Sequence, residues 1–319
     1  MKIELMIQND STLITPCVEV GIEWYTERKG SPGKLTFSVL RDDLLNIEEG
    51  NPVKLRVDGI DVFYGFIFRF ARDKNPIVKV TAYDQMRYLK NKDTYVFEKS
   101  TASDIIKMIS DDYGIRLGNI ENTGYVIPSR VEENSTLLDM MQTVLNITLT
   151  NTKRLYVLYD NAGLLTLASA DTLRVGLIID VETGENYNYV STIDDSTYNR
   201  IKLVYEDEKS GKRQIFTAQD RETMGKWGTL QYYEDISDTL NAQNKADSLL
   251  VLYNAKTKTL KITGAFGDLR IRAGKMIIVR LNLGDTVLNH FMMVEHCKHY
   301  FNNDEHSMDL TLRGGEFIG

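Results

Sequence analysis

Cysteine is scarce: Cys17 and Cys297 are the only two in 319 residues, and they lie far apart in the chain. That number excludes a disulfide framework and a cysteine metal knuckle, and it suits folding in a reducing compartment. Both are expected to be buried thiols. No apolar run approaches the ~20 residues a membrane helix needs, so direct membrane insertion is not expected. The opening MKIELMIQND alternates apolar and polar residues and lacks the charged head and apolar centre of a signal peptide. Export by the usual route is therefore not expected. An excess of basic charge is missing as well. Net charge is −7, with Lys and Arg scattered, whereas nucleic-acid binders cluster them to neutralise phosphates. Specific nucleic-acid binding is not expected.

Catalytic patterns are absent too. There is no Gly-x-Ser-x-Gly elbow, phosphate-cradling loop, His-Glu-x-x-His helix or dinucleotide fingerprint. All four histidines, His290, His296, His299 and His306, fall in one short stretch with Cys297. Zinc wants three or four converging ligands, but on a strand His296 and His299 have opposite parity and point to opposite faces. Surface or packed histidines are expected, with no metal and no cofactor. The pairs Asp111-Asp112 and Asp194-Asp195 stand beside turn residues, and adjacent carboxylates diverge, whereas glycosidase acids face each other across a substrate. Solvated loops are expected there, and no enzymatic site. The acidic run Asp180, Glu182, Glu185, Asp194, Asp195, Glu206, Asp207 and Glu208, against Arg200 and Lys202, reads first as a solvated surface. A docking patch for a basic partner is the second reading.

What the sequence does have is alternation. From Glu49 to Leu89, three period-two runs carry Val53, Leu55 and Val57, then Phe63, Gly65 and Ile67, then Val78 and Val80, joined at Asp58-Gly59 and Asp73 to Pro76. That is a half-buried antiparallel meander. Strands Val18 to Trp24 and Leu35 to Val39 precede it, and the whole is expected to close as a barrel near Phe97. The same pattern returns from Ala273 to Phe317. Gly274 answers Gly50, Ile277 to Leu281 answers Val53 to Val57, the Gly284-Asp285 turn answers Gly59, Phe291 to Val294 answers Phe63 to Ile67, and His306 to Leu312 answers Ile77 to Tyr83. Gly65, inside an aromatic strand, marks either a close approach or a bend. Asp84 and Arg87 are exposed by period and read as a solvated pair.

Between the meanders the period becomes helical. Thr101-Ala-Ser-Asp104 reads as a capping box, Ala102, Ile105, Ile106, Ile109 and Tyr113 share a face, and Gly114 stops the helix. A second helix follows Asn134-Ser135, and a hairpin turns at 160–163. Strands Arg200 to Tyr205 and Arg213 to Thr217 flank a turn at Ser210-Gly211, and a helix over 238–253 is expected to cover the second barrel. The fold class read from this is mixed β and α+β. Residues 1–98 and 191–319 form two related tube-like antiparallel β-barrels, and 99–190 form an inserted α+β domain.

Gly50-Asn-Pro-Val, Val62-Phe-Tyr-Gly-Phe-Ile67, Val80-Thr-Ala-Tyr-Asp84 with Tyr88-Leu89, Tyr198 to Val204 and Arg272-Ala-Gly-Lys275 together resemble baseplate hub proteins of contractile phage tails and tail-like bacteriocins. This is the XkdQ/YqbQ-like group, related to the T-even phage hub and the late control protein D group. The resemblance covers essentially the whole chain. It implies a homotrimer with two barrels per chain that joins a six-fold tail tube to a three-fold spike. It implies as partners the central spike, tail tube, tape measure and baseplate wedge proteins, and a place in the baseplate of a particle assembled in the bacterial cytoplasm. Duplication gives an independent reason, since it joins two symmetries that share a factor of three. The assembly interface is expected on the two meanders, at Phe63, Gly65, Phe66, Phe68, Phe291 and Met292. A carbohydrate-binding or cell-wall-hydrolysing tail protein is the alternative.

Overall fold

The computed structural model describes all residues except 20, 42–45, 181, 195, 207–210, 237, 238, 240, 285, 286 and 315–319. Asp195, Asp207, Glu208, Ser210, Asp285 and Phe317, used above, lie outside the described residues, as do residues 20, 238 and 240 within the strand and helix expected there.

The first segment supplies β1 (Ile3–Asn9), β2 (Thr12–Ile14), β3 (Ile22–Glu27), β4 (Lys34–Leu40), β5 (Pro52–Val57), β6 (Ile60–Arg72) and β7 (Ile77–Tyr83). Their alternating apolar residues meet in one core that includes Leu5, Ile7, Trp24, Leu35, Phe37, Leu55, Phe63 and Ile67. A 3-10 turn, Gln85–Lys90, leads to β8 (Lys92–Thr101), α1 (Ala102–Asp112), β9 (Leu117–Ile120), β10 (Val126–Thr136), α2 (Leu137–Thr152), β11 (Tyr156–Asp160) and β12 (Leu165–Ser169). The capping box at Thr101 and Asp104 forms, and Ala102, Ile105, Ile106 and Ile109 are buried. β13 (Arg174–Ile179) and β14 (Asn186–Thr192) follow. Next come β15 (Arg200–Glu206), β16 (Arg213–Gln219), α3 (Arg221–Trp227), β17 (Gln231–Asp235) and α4 (Ala242–Tyr253), and last β18 (Thr257–Phe266), β19 (Met276–Asn282), β20 (Val287–Asn302) and β21 (Glu305–Gly314).

Strand pairing shows the repeat. In the first segment the neighbours run β3, β4, β7, β6, β5, β1; in the second they run β14, β18, β21, β20, β19, β13. By chain position within each segment, leaving out the short β2 at the edge, both orders are second, third, sixth, fifth, fourth, first. One difference is that β1 pairs antiparallel with β5 while β13 pairs parallel with β19. Gly50 and Gly274 both take φ of +91°, a region open chiefly to glycine. Gly50 N–H donates to Ile67 O at 2.7 Å and Gly274 N–H to Val294 O at 2.8 Å. In return Ile67 N–H donates to Asn51 O and Val294 N–H to Lys275 O. β6 and β20 each leave one partner for another at this point, and each carries a bulge there, at Phe68 and at Glu295. The bulge shifts the parity, which brings Phe70 to the same core as Ile67, and Cys297 to the same core as Val294. In the last strand the register sets Tyr83 opposite Phe66 and Arg313 opposite Met293. The true counterpart of Ile77 to Tyr83 is therefore 307–313, one residue later than the sequence pattern placed it.

Several units are drawn differently from the sequence division. Phe97, expected to close the first barrel, is buried with Met86, Leu89 and the faces of α1 and α2 in the middle unit's own core. β13 and β14 pair with strands of the second repeat. Residues 200–253 are a separate insertion: β16, β15 and β17 form their own sheet, and α4 packs on it through Ala246 and Leu249. α4 thus covers this small sheet rather than the second repeat, and Arg200 to Val204 belongs to the insertion. Cys17 is exposed and Cys297 buried. The chain is mostly β, and among the described residues thirteen strands join in one sheet whose pairing does not close either repeat into a barrel.

Gly65 proves to be a close approach. A Cβ there would stand 2.2 Å from Tyr83 O and 2.6 Å from Phe63 Cζ. Alanine gains under about 1 kcal/mol by restricting the unfolded chain, while displacing a backbone carbonyl in a filled core costs more. Gly65→Ala is expected to lose about 2–3 kcal/mol in a urea titration; an unchanged midpoint would count against the close approach.

Candidate assembly surface

The two repeats meet in a seam. β3 pairs antiparallel with β20 from Ile22–Phe301 to Glu27–His296, because the bulge at Glu295 frees the second half of β20 from β19. Alternate residues of β20 face opposite sides, as parity requires. His299 stacks on Trp24 with ring centroids 4.9 Å apart, whereas His296 Nδ1 lies 2.9 Å from the Tyr25 hydroxyl. His299 Nε2 is 2.9 Å from Ile271 O, so it carries the proton and donates; Nδ1 then accepts from His306 Nε2 at 2.8 Å. Burial, then the neighbouring His306, pushes the His299 pKa down to about 3, so the ring is neutral. Cys297 Sγ stands 3.1 Å from Nε2, and burial raises its thiol pKa. Both ring nitrogens of His299 are thus engaged, and its ring is part of the packed seam. Glu295, turned out by its bulge, makes a two-pronged bond to Arg28 at 2.9 and 2.8 Å.

A buried polar junction ties the seam to the middle unit. Asp84, expected to be exposed, is 3% exposed. It sits where β7 ends, and its carboxylate accepts from Gly33 N at 2.7 Å and Met86 N at 3.0 Å. Asp160, at the end of β11, accepts from Gln85 Nε2 at 2.8 Å and Gly163 N at 2.6 Å. Arg272, before β19, donates to Asp160 O and lies over the Tyr159 ring at 4.4 Å. Burial, then the Asp160 charge, holds the Asp84 pKa well above the carboxylate range; burial likewise raises that of Asp160. Burial works against the Arg272 charge, while Asp160 and then Asp84 favour it. Sequence reasoning missed this junction because its three charged members come from segments far apart in the chain. The only trace was that Asp84 and Arg272 both fall in the motifs that carried the resemblance.

The six expected interface residues divide by burial. Phe63 and Met292 are 2% and 0% exposed, and each faces the core of its own repeat. Both side chains are enclosed within the chain itself. Gly65 is buried against Tyr83. Phe291 packs with Leu155, Ala170, Met276 and Met293 beneath the Arg174 guanidinium. Phe66 and Phe68 are half-buried on the outer face, in an aromatic patch with Tyr64, Tyr83 and Tyr88 whose ring centroids are 5.6–5.7 Å apart. Arg116 caps Tyr64 and Arg87 caps Phe68. Asp111 and Asp112 are exposed on α1, with Asp112 accepting from Tyr95. Among the described residues no group of three or more His, Cys, Asp or Glu side chains is placed to hold a metal ion.

This duplicated, mostly-β fold is shared with solved tail proteins. A tail protein from Neisseria meningitidis MC58 matches it at a TM-score of 0.72, with 13% identity, over 99% of this chain and 98% of that one. The chain belongs to the YqbQ-like family, whose sequence profile matches residues 22–313. It is 31% identical over 276 residues to the phage-like element PBSX protein XkdQ of Bacillus subtilis strain 168, covering 84% of this chain and 82% of that protein. The fold is also shared with the Escherichia coli c3393 protein, at a TM-score of 0.59 and 9% identity, over 99% of this chain and 78% of that one. That protein is described as a type VI secretion component similar in structure to T4 tail proteins gp27 and gp5.

Proposed function

We propose that this chain is the structural, non-enzymatic baseplate hub of a contractile tail or tail-like particle. Three copies, each with two tube-like repeats, present six similar units to a six-fold tube on one side and a three-fold spike on the other. The observation that carries this is the duplication: the same strand order in both repeats, with Gly50 and Gly274 at the same φ and making the same backbone bond. A duplicated subunit used three times matches six-fold to three-fold symmetry with one gene product. Kinship with the PBSX protein and likeness in fold to tail and secretion-system proteins support the setting. The open sheets fit units that complete their barrels only beside neighbours, since free strand edges seek partners. In this reading the spike, tube, tape measure and wedge proteins are its partners. Cryo-microscopy of the parent particle is expected to find three copies at the tube–spike junction; one copy or six would overturn the symmetry argument.

A further inference from the structure

The seam inside the chain is a template for a contact between chains. Matching Ile67 to Val294, the β6 residues Arg69, Phe70, Ala71 and Arg72 occupy the places of His296, Cys297, Lys298 and His299 in β20. Following the pairing outward from β7 and β21, Trp24 and Tyr25 of β3 correspond to Tyr189 and Val190 of β14. In the seam His299 opposes Trp24, Lys298 opposes Tyr25, Cys297 opposes Thr26 and His296 opposes Glu27. The equivalent contact would set Arg72 opposite Tyr189, Ala71 opposite Val190, Phe70 opposite Ser191 and Arg69 opposite Thr192.

That contact is not made within the chain. Among the described residues, β6 beyond Phe68 pairs only with β7, and β14 pairs only with β18. Burial reflects the difference. Ile22 and Trp24 of β3 are 2% and 5% exposed in the seam, while Tyr187, which takes the place of Ile22 on β14, is 44% exposed. Phe70 and Tyr189 are partly buried, each at the margin of its repeat's core. Charge leans the same way: Arg69, Arg72 and Lys74, against Asp73 alone, leave the β6 end basic, and Glu185 and Asp194 flank β14.

We propose that β6 of one protomer pairs antiparallel with β14 of the next, in this register, so that the occupant of each free edge is a second copy of this chain. The contact is head to tail, and such contacts close into rings when the rotation between copies divides a full turn. The number of copies in the ring rests on the hub reading above; the pairing itself does not. It also sets the contact between copies at the end of β6 and on β14, and leaves the outer patch of Phe66 and Phe68 open to other components of the particle.

Directly opposed residues on neighbouring strands bring their Cβ atoms close enough for a disulfide. The test is Ala71→Cys with Val190→Cys in full-length chain whose exposed Cys17 is changed to Ser, oxidised both in concentrated solution and in assembled particles. Multimers larger than a dimer, released by reductant, are expected on a denaturing gel, and either single-cysteine variant should give none larger than a dimer. Val190→Lys should keep the wild-type circular dichroism and abolish association of the copies. Particles or oligomers whose two thiols stay free would overturn the pairing, as would a chain that stays monomeric in both settings. Three copies per particle with free thiols would sink the pairing and spare the hub, whereas linked rings of another number would sink the hub reading and keep the pairing.

Discussion

Arg272→Met is expected to lower the unfolding free energy by about 3 kcal/mol at neutral pH, because it keeps much of the stem but removes the buried cation that faces two buried carboxyls. Asp84 and Asp160 would then hold their remaining negative charge without compensation, and Asp160 O would lose a donor. The pH dependence gives the effect a signature. Both carboxyls have folded-state pKa values above the ordinary 3.8, so the folded chain binds protons more tightly than the unfolded one. Their protonated forms favour folding at low pH, and that contribution is lost as pH rises through the folded-state values. Removing Arg272 raises those values further. The deficit of the variant should therefore be greatest above them and shrink on acidification toward 3.8, as the acids become neutral and need no cation. Urea titrations across that range provide the check. A deficit of constant size would mean that lost packing on Tyr159, and not charge, is what Arg272 contributes.

Lysine at two interface candidates should separate core from surface. Met292→Lys places an ammonium at a fully buried position in the second repeat's core, and such a group either costs several kcal/mol or forces water inward. The chain is expected to lose cooperative folding, or to fall by about 4 kcal/mol or more. Phe66→Lys falls on the half-buried outer patch and trades ring contacts with Tyr64 and Tyr88 for a solvated charge. Its expected cost is about 1–2 kcal/mol, the scale of lost aromatic contacts; the monomer stays folded and particle assembly fails. Wild-type particle yield with Phe66→Lys would remove the patch from the assembly surface.

The local grammar was legible. Capping at Thr101, the stop at Gly114 and the equivalence of Gly50 with Gly274 were all read from the chain and all appear in the structure. These features depend on residues a few positions apart, and a repeat can be seen by comparing the chain with itself. The parity argument for His296 and His299 held for the same reason. Where reading failed, long-range pairing had decided. Asp84 was placed outside by its period, yet the end of β7 is roofed by the 3-10 turn and by β11 of the middle unit. Phe97 continues an alternating strand, but its partner β10 belongs to the middle unit. The insertion of β15, β16, β17 and α4 looked like part of the second repeat because its strands alternate as the repeat's own strands do.

By itself, then, the sequence determined that two segments carry one pattern, that helices lie between them, and that it holds no nucleophile elbow, phosphate-cradling loop, His-Glu-x-x-His helix or dinucleotide fingerprint. Only the tertiary structure decided which strands pair, where the insertions begin, which aromatic residues face outward, and that β3 and β20 join the two repeats. Alternation fixes which face of a strand is apolar but not which edge it pairs with. Edge choice is set by bulges such as those at Phe68 and Glu295, and by the competition of distant strands for the same backbone groups.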